Sequence, residues 1–326
     1  MFKLLPCLLA AVMCSTSVAA CQAPSQIVPR TVQVTTAPGV SLEVLDWGGR
    51  GRPLVFLAGG GHSAREFEEF APPFTQAHRV LAISRRGSGA SSDVAPERLD
   101  ELVDDVVAVL DSLDLPSAVL VGHSFAGMEM ALFGEKYPER CAGLVYLDAA
   151  YDYTDPEIVR IFTETPPPQA PPMLTADSAS TAAVRAYVQR TSGHMLPESE
   201  IRATRTFDAE GRLVGHEPSA TQMRMGALNR APRWEAIECP SLGMFAIPTP
   251  LASRRPSWFR ELDAAERERG DAYVRAFSRW TATQREQFGR VLGNRVIEFG
   301  SSSHSFFLEM PEEASRMILD FAASLP

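Results

Sequence analysis

The stretch Gly122-His123-Ser124-Phe125-Ala126-Gly127 combines residue types and spacing that suit nucleophilic chemistry. A short apolar run (118–121) enters it and a helical stretch to Lys136 leaves it, which is the strand–turn–helix context of a nucleophile elbow. Small residues allow a turn sharp enough to lift the serine hydroxyl above a sheet. The usual spacing is G-x-S-x-G. Alanine stands at the last position here, a mild departure because its methyl is still small, and Gly127 follows. Ser124 is the candidate nucleophile. A serine hydroxyl needs a base to become reactive, and that base is expected last in the chain, on a loop after the final strand. His304 fits, following Val296-Ile297-Glu298-Phe299 and Gly300-Ser301-Ser302-Ser303. His123, beside the nucleophile, is expected to point away from the hydroxyl and to serve structure.

The base needs a carboxylate to orient it and to stabilise its imidazolium. The segment after the strand that follows the long insertion, Met244 to Ser253, contains no Asp or Glu. Asp148, directly after Leu144-Val145-Tyr146-Leu147, is therefore the candidate acid, with Asp152 as the alternative. The order Ser124, Asp148, His304 is the expected one. Two backbone N–H groups should hold the developing oxyanion, one from Phe125 and one from the loop Ala58-Gly59-Gly60-Gly61-His62, where Gly60 is the best single candidate. His62, His78, His194 and His216 show no metal-ligand spacing, so neither a zinc site nor a cofactor is expected.

These residues need a scaffold. Dense apolar runs at 54–58, 80–83, 118–121, 144–147, 242–247 and 296–299 read as buried parallel strands, with helices covering both faces of the sheet. Two alternating runs, 31–36 and 42–47, read as an antiparallel hairpin. Leu99, Leu102, Val103, Val106, Val107, Leu110 and Leu113 recur at helical spacing. The fold class is α/β, a doubly wound, mostly parallel sheet. The pattern is broken by an insertion, residues 152–234, read as a lid. It carries one helical piece (181–189) and a hairpin-like stretch (207–214). Residues 256–292 read as a long charged helix. The expected division is a signal peptide (1–20), a tether (21–30), a core (31–151 and 235–326) and the lid.

The 326 residues are enough for one large α/β domain with an insertion or for two modest domains, and with 45% hydrophobic and 22% charged residues the chain can bury a sizeable core. A formal net charge of −9 gives little electrostatic reason to bind nucleic acid. Lys3, an apolar run from Leu4 to Met13 and the small residues from Ser15 to Ala20 fit a secretory signal, too short for a permanent span. Val18-Ala19-Ala20-Cys21 also resembles the bacterial lipobox, which would place lipid on Cys21 and tether the protein to a membrane. The expectation is export, as a periplasmic protein, a lipoprotein or a secreted one. Cys141 and Cys239 each lie just before a presumed strand, 144–147 and 242–247. In an oxidising compartment they could form a disulfide or remain two buried thiols.

Taken together these motifs resemble the α/β-hydrolase superfamily over nearly all of residues 31–326. Ser84-Arg85-Arg86-Gly87-Ser88-Gly89-Ala90-Ser91 is similar to that family's R-G-x-G-x-S loop. Leu144-Val145-Tyr146-Leu147-Asp148 and Pro311-Glu312-Glu313 also match. The run Leu147-Asp148-Ala149-Ala150-Tyr151-Asp152-Tyr153 resembles a bacterial exported subgroup. The resemblance implies an eight-stranded sheet with a lid. It also implies a serine hydrolase acting on a small-molecule ester-like substrate, since dehalogenases and epoxide hydrolases of this topology use aspartate at the elbow. Some relatives place their acid where Asp148 lies. Two other functions fit the same scaffold. One is a serine aminopeptidase, with Glu198, Glu200, Asp208 and Glu210 of the lid forming an acidic pocket. The other is a non-catalytic binding protein.

Overall fold

The computed structural model describes residues 27–216, 218–247, 257–300 and 303–326. The expected signal segment and Cys21 lie outside them.

Strands β1 (Arg30–Ala37) and β2 (Val40–Gly48) form the antiparallel hairpin, turning at Gly39, whose φ of 76° suits glycine. There follow β3 (Pro53–Leu57), β4 (Arg79–Ile83), β5 (Ala118–His123) and β6 (Cys141–Leu147). The insertion carries a separate pair, β7 (Thr206–Phe207) and β8 (Leu213–Gly215). Strands β9 (Ser241–Ile247) and β10 (Asn294–Gly300) complete an eight-stranded sheet of order β1-β2-β4-β3-β5-β6-β9-β10. β2 runs antiparallel to both its neighbours and the other pairings are parallel.

The central strands are apolar throughout because both faces are covered. Leu120 and Leu144 face one core, completed by α1 (Leu99–Ser112) and α2 (Ala126–Lys136). Val119 and Val145 face the other. Phe67, Phe70 and Phe74 also fill that second core, from a segment of two 3₁₀ turns (Ala64–Phe67 and Pro72–Gln76) for which the sequence offers no regular periodicity.

The insertion is richer in helix than its sequence suggests. It holds α3 (Pro156–Glu164), α4 (Thr181–Ser192), α5 (Glu198–Ala203) and α6 (Ala220–Arg224), with a small core of Val184, Leu196 and Ile201. Short capped helices such as α3, with Asp155 accepting from the Glu157 N–H, bury too few residues to show a clear period. α7 (Ala264–Gly289) is the long charged helix. Its Trp280 and Gln284 both donate to Asp155 Oδ2 at 3.0 Å, which ties it to the start of α3. The chain closes with α8 (Phe306–Glu309) and α9 (Pro311–Ala323). At the opposite end of the sheet from the elbow, Cys141 opens β6 and Cys239 precedes its parallel neighbour β9. The two are disulfide-bonded, with Cα atoms 6.1 Å apart.

Candidate active site

β5 runs into Ser124, whose φ of 54° places a non-glycine residue in the left-handed region. Sequence packs this turn tightly. A side chain at Gly122 would come within 2.9 Å of Ala126 Cβ, and one at Gly127 would overlap the Ala149 carbonyl. The elbow therefore needs its glycines at 122 and 127, and position 126 tolerates a methyl because its neighbour across the turn is Gly122. The Ser124 N–H donates to Leu147 O at 3.3 Å, joining the elbow to the end of β6.

The next residue on β6 is Asp148, also left-handed at φ 47°. Its carboxylate is fully used. Oδ1 accepts from the Ala246 N–H at 3.0 Å and from the Tyr151 hydroxyl, and Oδ2 accepts from His304 Nδ1 at 2.7 Å. Its own N–H donates to Met244 O at 2.8 Å. Asp148 is thus fixed between the ends of β6 and β9 and buried, while the His304 side chain is about half exposed (48%). A proton on Nδ1 leaves Nε2 as the basic nitrogen. Asp152 is elsewhere, accepting from the Thr154 N–H and hydroxyl.

Gly59 and Gly60 lie against the elbow. A Cβ on Gly59 would stand 3.5 Å from Ser124 Cβ, and one on Gly60 would stand 3.6 Å from Phe125 Cβ. The Gly59 N–H is engaged by Glu66 Oε2 at 3.1 Å. Among the described residues, the N–H groups of Gly60 and Phe125 donate to nothing. The loop is held from below by Arg85. Its Nη2 donates to Ala58 O at 3.0 Å and to Glu129 at 2.7 Å, and its guanidinium lies 5.0 Å from the Phe125 ring centre.

Two features carry no sequence signal of their own. The Tyr153 hydroxyl lies near the Ser124 side chain, and burial pushes its phenol well above the ordinary range. Two Glu–His pairs also surround the glycine loop. Glu66 meets His123, whose ring indeed turns to Glu66 and the His304 carbonyl, and Glu200 meets His62.

The lid carboxylates do not form an open acidic pocket. Glu198 pairs with Arg202, and Asp208 and Glu210 with Arg212. Glu200, the fourth of these carboxylates, is fully buried and accepts from Ser63 and His62. Of the apolar lid residues, Met225 reaches Gly60, whereas Leu174 and Met223 are exposed. Among the described residues, no group of three or more His, Cys, Asp or Glu is placed to hold a metal ion. None of their helices is long and apolar enough to cross a membrane.

A family model described as the alpha/beta hydrolase family matches residues 54–316. A bifunctional esterase/perhydrolase of Acinetobacter calcoaceticus is 37% identical over 108 residues, which is 32% of this chain and 39% of that protein. Bifunctional epoxide hydrolase 2 of Mus musculus is 35% identical over 134 residues, 38% of this chain and 23% of that protein. The chain spans less than half the length of each of these relatives. Among solved structures, E-2-(acetamidomethylene)succinate hydrolase aligns with a TM-score of 0.66 at 18% identity, covering 91% of this chain and all of that one. A carboxylesterase of Bacillus subtilis aligns at 0.57 and 18% identity, covering 90% and 91%. Identities this low speak for the fold alone.

Proposed function

This chain belongs to the alpha/beta hydrolase family, and on that premise we propose that it is a serine hydrolase that cleaves carboxylic esters through an acyl-enzyme. The observation that carries the reading is the 2.7 Å contact between Asp148 and His304, one strand from a serine held in a left-handed turn. Ser124 Oγ attacks the ester carbonyl while His304 Nε2 takes its proton. Asp148 keeps the imidazole in the right tautomer and stabilises the imidazolium. The Phe125 and Gly60 N–H groups receive the oxyanion. His304 then protonates the leaving alkoxide and next activates the water that releases the acid.

The esterase activity named for the Acinetobacter relative supports an ester substrate. The aminopeptidase reading loses its main support, because the lid carboxylates that would bind a substrate amine are paired with arginines or buried. A binding protein without catalysis would keep the fold and escape labelling by a fluorophosphonate probe. The N-terminal pattern supports export, with a lipid anchor on Cys21 or as a soluble protein. Membrane fractionation of the wild type against Cys21→Ala separates these two.

The enzyme reading is tested with a fluorophosphonate probe and with a panel of p-nitrophenyl esters against aminoacyl anilides. Wild type should be labelled and should prefer esters. Ser124→Ala should stay folded, escape labelling and lose several orders of magnitude in turnover. Retention of more than about a tenth of ester turnover by Ser124→Ala removes Ser124 as the nucleophile.

A further inference from the structure

Behind the triad lies a second acid–histidine couple, buried on both sides. Glu66, in the Ala64–Phe67 turn, has no exposure and His123 has 3%. Glu66 Oε1 is 2.9 Å from His123 Nδ1, and Oε2 accepts from the Gly59 N–H at 3.1 Å. His123 Nε2 is 3.1 Å from the carbonyl oxygen of His304. The ring also packs on the His304 ring, with centres 4.6 Å apart, and on Phe307. Three segments distant in sequence therefore converge on one couple: the glycine loop, the elbow and the histidine loop.

The hydrogen-bond geometry counts the protons. A carbonyl oxygen can only accept, so Nε2 carries a proton. Oε2 already accepts from Gly59, so one further proton lies between Nδ1 and Oε1. The couple holds two protons and no net charge, on whichever of the two atoms the shared proton rests. Burial alone would raise the Glu66 carboxyl, but the charges of His123 and His62, the His123 hydrogen bond and the Gly59 N–H bring it well below the carboxylate range. Burial disfavours charge on the His123 ring as well. The contacts require both members in place, because either one left alone would be a buried polar group without its partner.

We propose that Glu66 and His123 are positioning residues of the reaction, holding the Gly59–Gly60 loop and the His304 backbone in register with Ser124. The contacts go to backbone atoms on the residue before the proposed oxyanion donor and on the proposed base itself. Small displacements of either group are costly to the chemical step, since a misplacement of about 1 Å can cost on the order of a hundredfold. The proposal rests on the roles given above to Ser124, His304 and Gly60.

The test compares His123→Gln, Glu66→Leu and Glu66→Gln with wild type, with rates expressed per site titrated by fluorophosphonate. Glutamine at 123 can meet one partner but not both, and leucine at 66 meets neither of its own. Glutamine at 66 can accept from Gly59 with its oxygen and donate to Nδ1 with its amide, so every hydrogen bond survives. The first two variants should lose about 10- to 100-fold in kcat with KM within about threefold, and Glu66→Gln should stay within about threefold of wild type. Amide hydrogen exchange gives a readout independent of activity. Peptides covering 59–66 and 303–307 should exchange faster in the first two variants and at the wild-type rate in Glu66→Gln. Wild-type kcat in folded His123→Gln overturns the proposal. So does a Glu66→Gln variant as impaired as Glu66→Leu, or unchanged exchange in the impaired variants. If one variant fails to fold, the remaining pair with its exchange data decides. A wild type inert to ester and probe alike would defeat the hydrolase reading, while the exchange comparison would still decide whether the couple holds the two loops.

Discussion

Asp148 Oδ2 and His304 Nδ1 stand 2.7 Å apart although 156 residues separate them. The contact exists because β6 ends at Asp148, β9 supplies the Ala246 N–H to its other oxygen, and His304 lies in the segment that follows β10, the parallel neighbour of β9. Asp148→Asn should keep the fold and lower kcat by roughly two to four orders of magnitude, because an amide cannot stabilise the imidazolium and can favour the wrong tautomer. Asp152→Asn should cost far less, since the Asp152 carboxylate bonds only to Thr154 within its own turn. Steady-state kinetics of the two variants check this, and a reversal of the two effects would move the acid to Asp152.

Tyr153 puts a phenol beside Ser124, the proposed nucleophile. Tyr153→Phe removes that hydroxyl and leaves the ring on Tyr151 and Trp280. The expected outcome is a fall of about 3- to 30-fold in kcat with an unchanged melting temperature. Equal kcat in the two proteins would mean that the hydroxyl contributes nothing to the transition state.

The Cys141–Cys239 bond closes a separation of 98 residues. Peptide mapping of the unreduced protein should recover the two cysteines in one cross-linked fragment. Replacing both by alanine should lower stability by about 2–4 kcal/mol, chiefly by freeing the unfolded chain. Free thiol at both positions would end this expectation.

His62 lies between the glycine loop and the lid, 3.0 Å from Glu200. Burial alone would lower its pKa. The Glu66 charge, the Glu200 hydrogen bond and the Glu200 charge outweigh burial, and the ring is pushed up to about 9 from 6.5. A folded-state value above the unfolded one means that the protonated ring stabilises the native state. That contribution is complete below about 6.5 and fades as pH rises through about 9. Wild type should therefore melt on the order of 3 °C above His62→Gln at pH 6, and the gap should close by about pH 10. A gap that does not vary with pH would show that His62 contributes without its charge.

Much of this protein is determined by sequence alone, where the information is local. An apolar run of four to six residues between turn signals suits a strand buried on both faces, as in β3 to β6 and β9, whereas the similar run 296–299, expected to be buried, lies on the edge strand β10 with Val296 exposed. The sharp Gly122–Gly127 turn marks Ser124 wherever the sheet places it. Asp148 was legible because a strand end is local and because the later strand offers no carboxylate. Other features depended on which segments become neighbours, and no local pattern encodes that. Glu66 and Glu200 look in sequence like ordinary charges on short helical turns. Only the sheet order and the seating of the lid bury them beside His123 and His62. Tyr153 likewise reads as one more aromatic in the lid's first turn until the end of β6 and the elbow bring its hydroxyl to Ser124. The chemistry sits on strand ends, whose character is written within a few residues. Its support sits on contacts spanning 57 to 181 residues, and those arise only when the chain packs and buried charges must find partners.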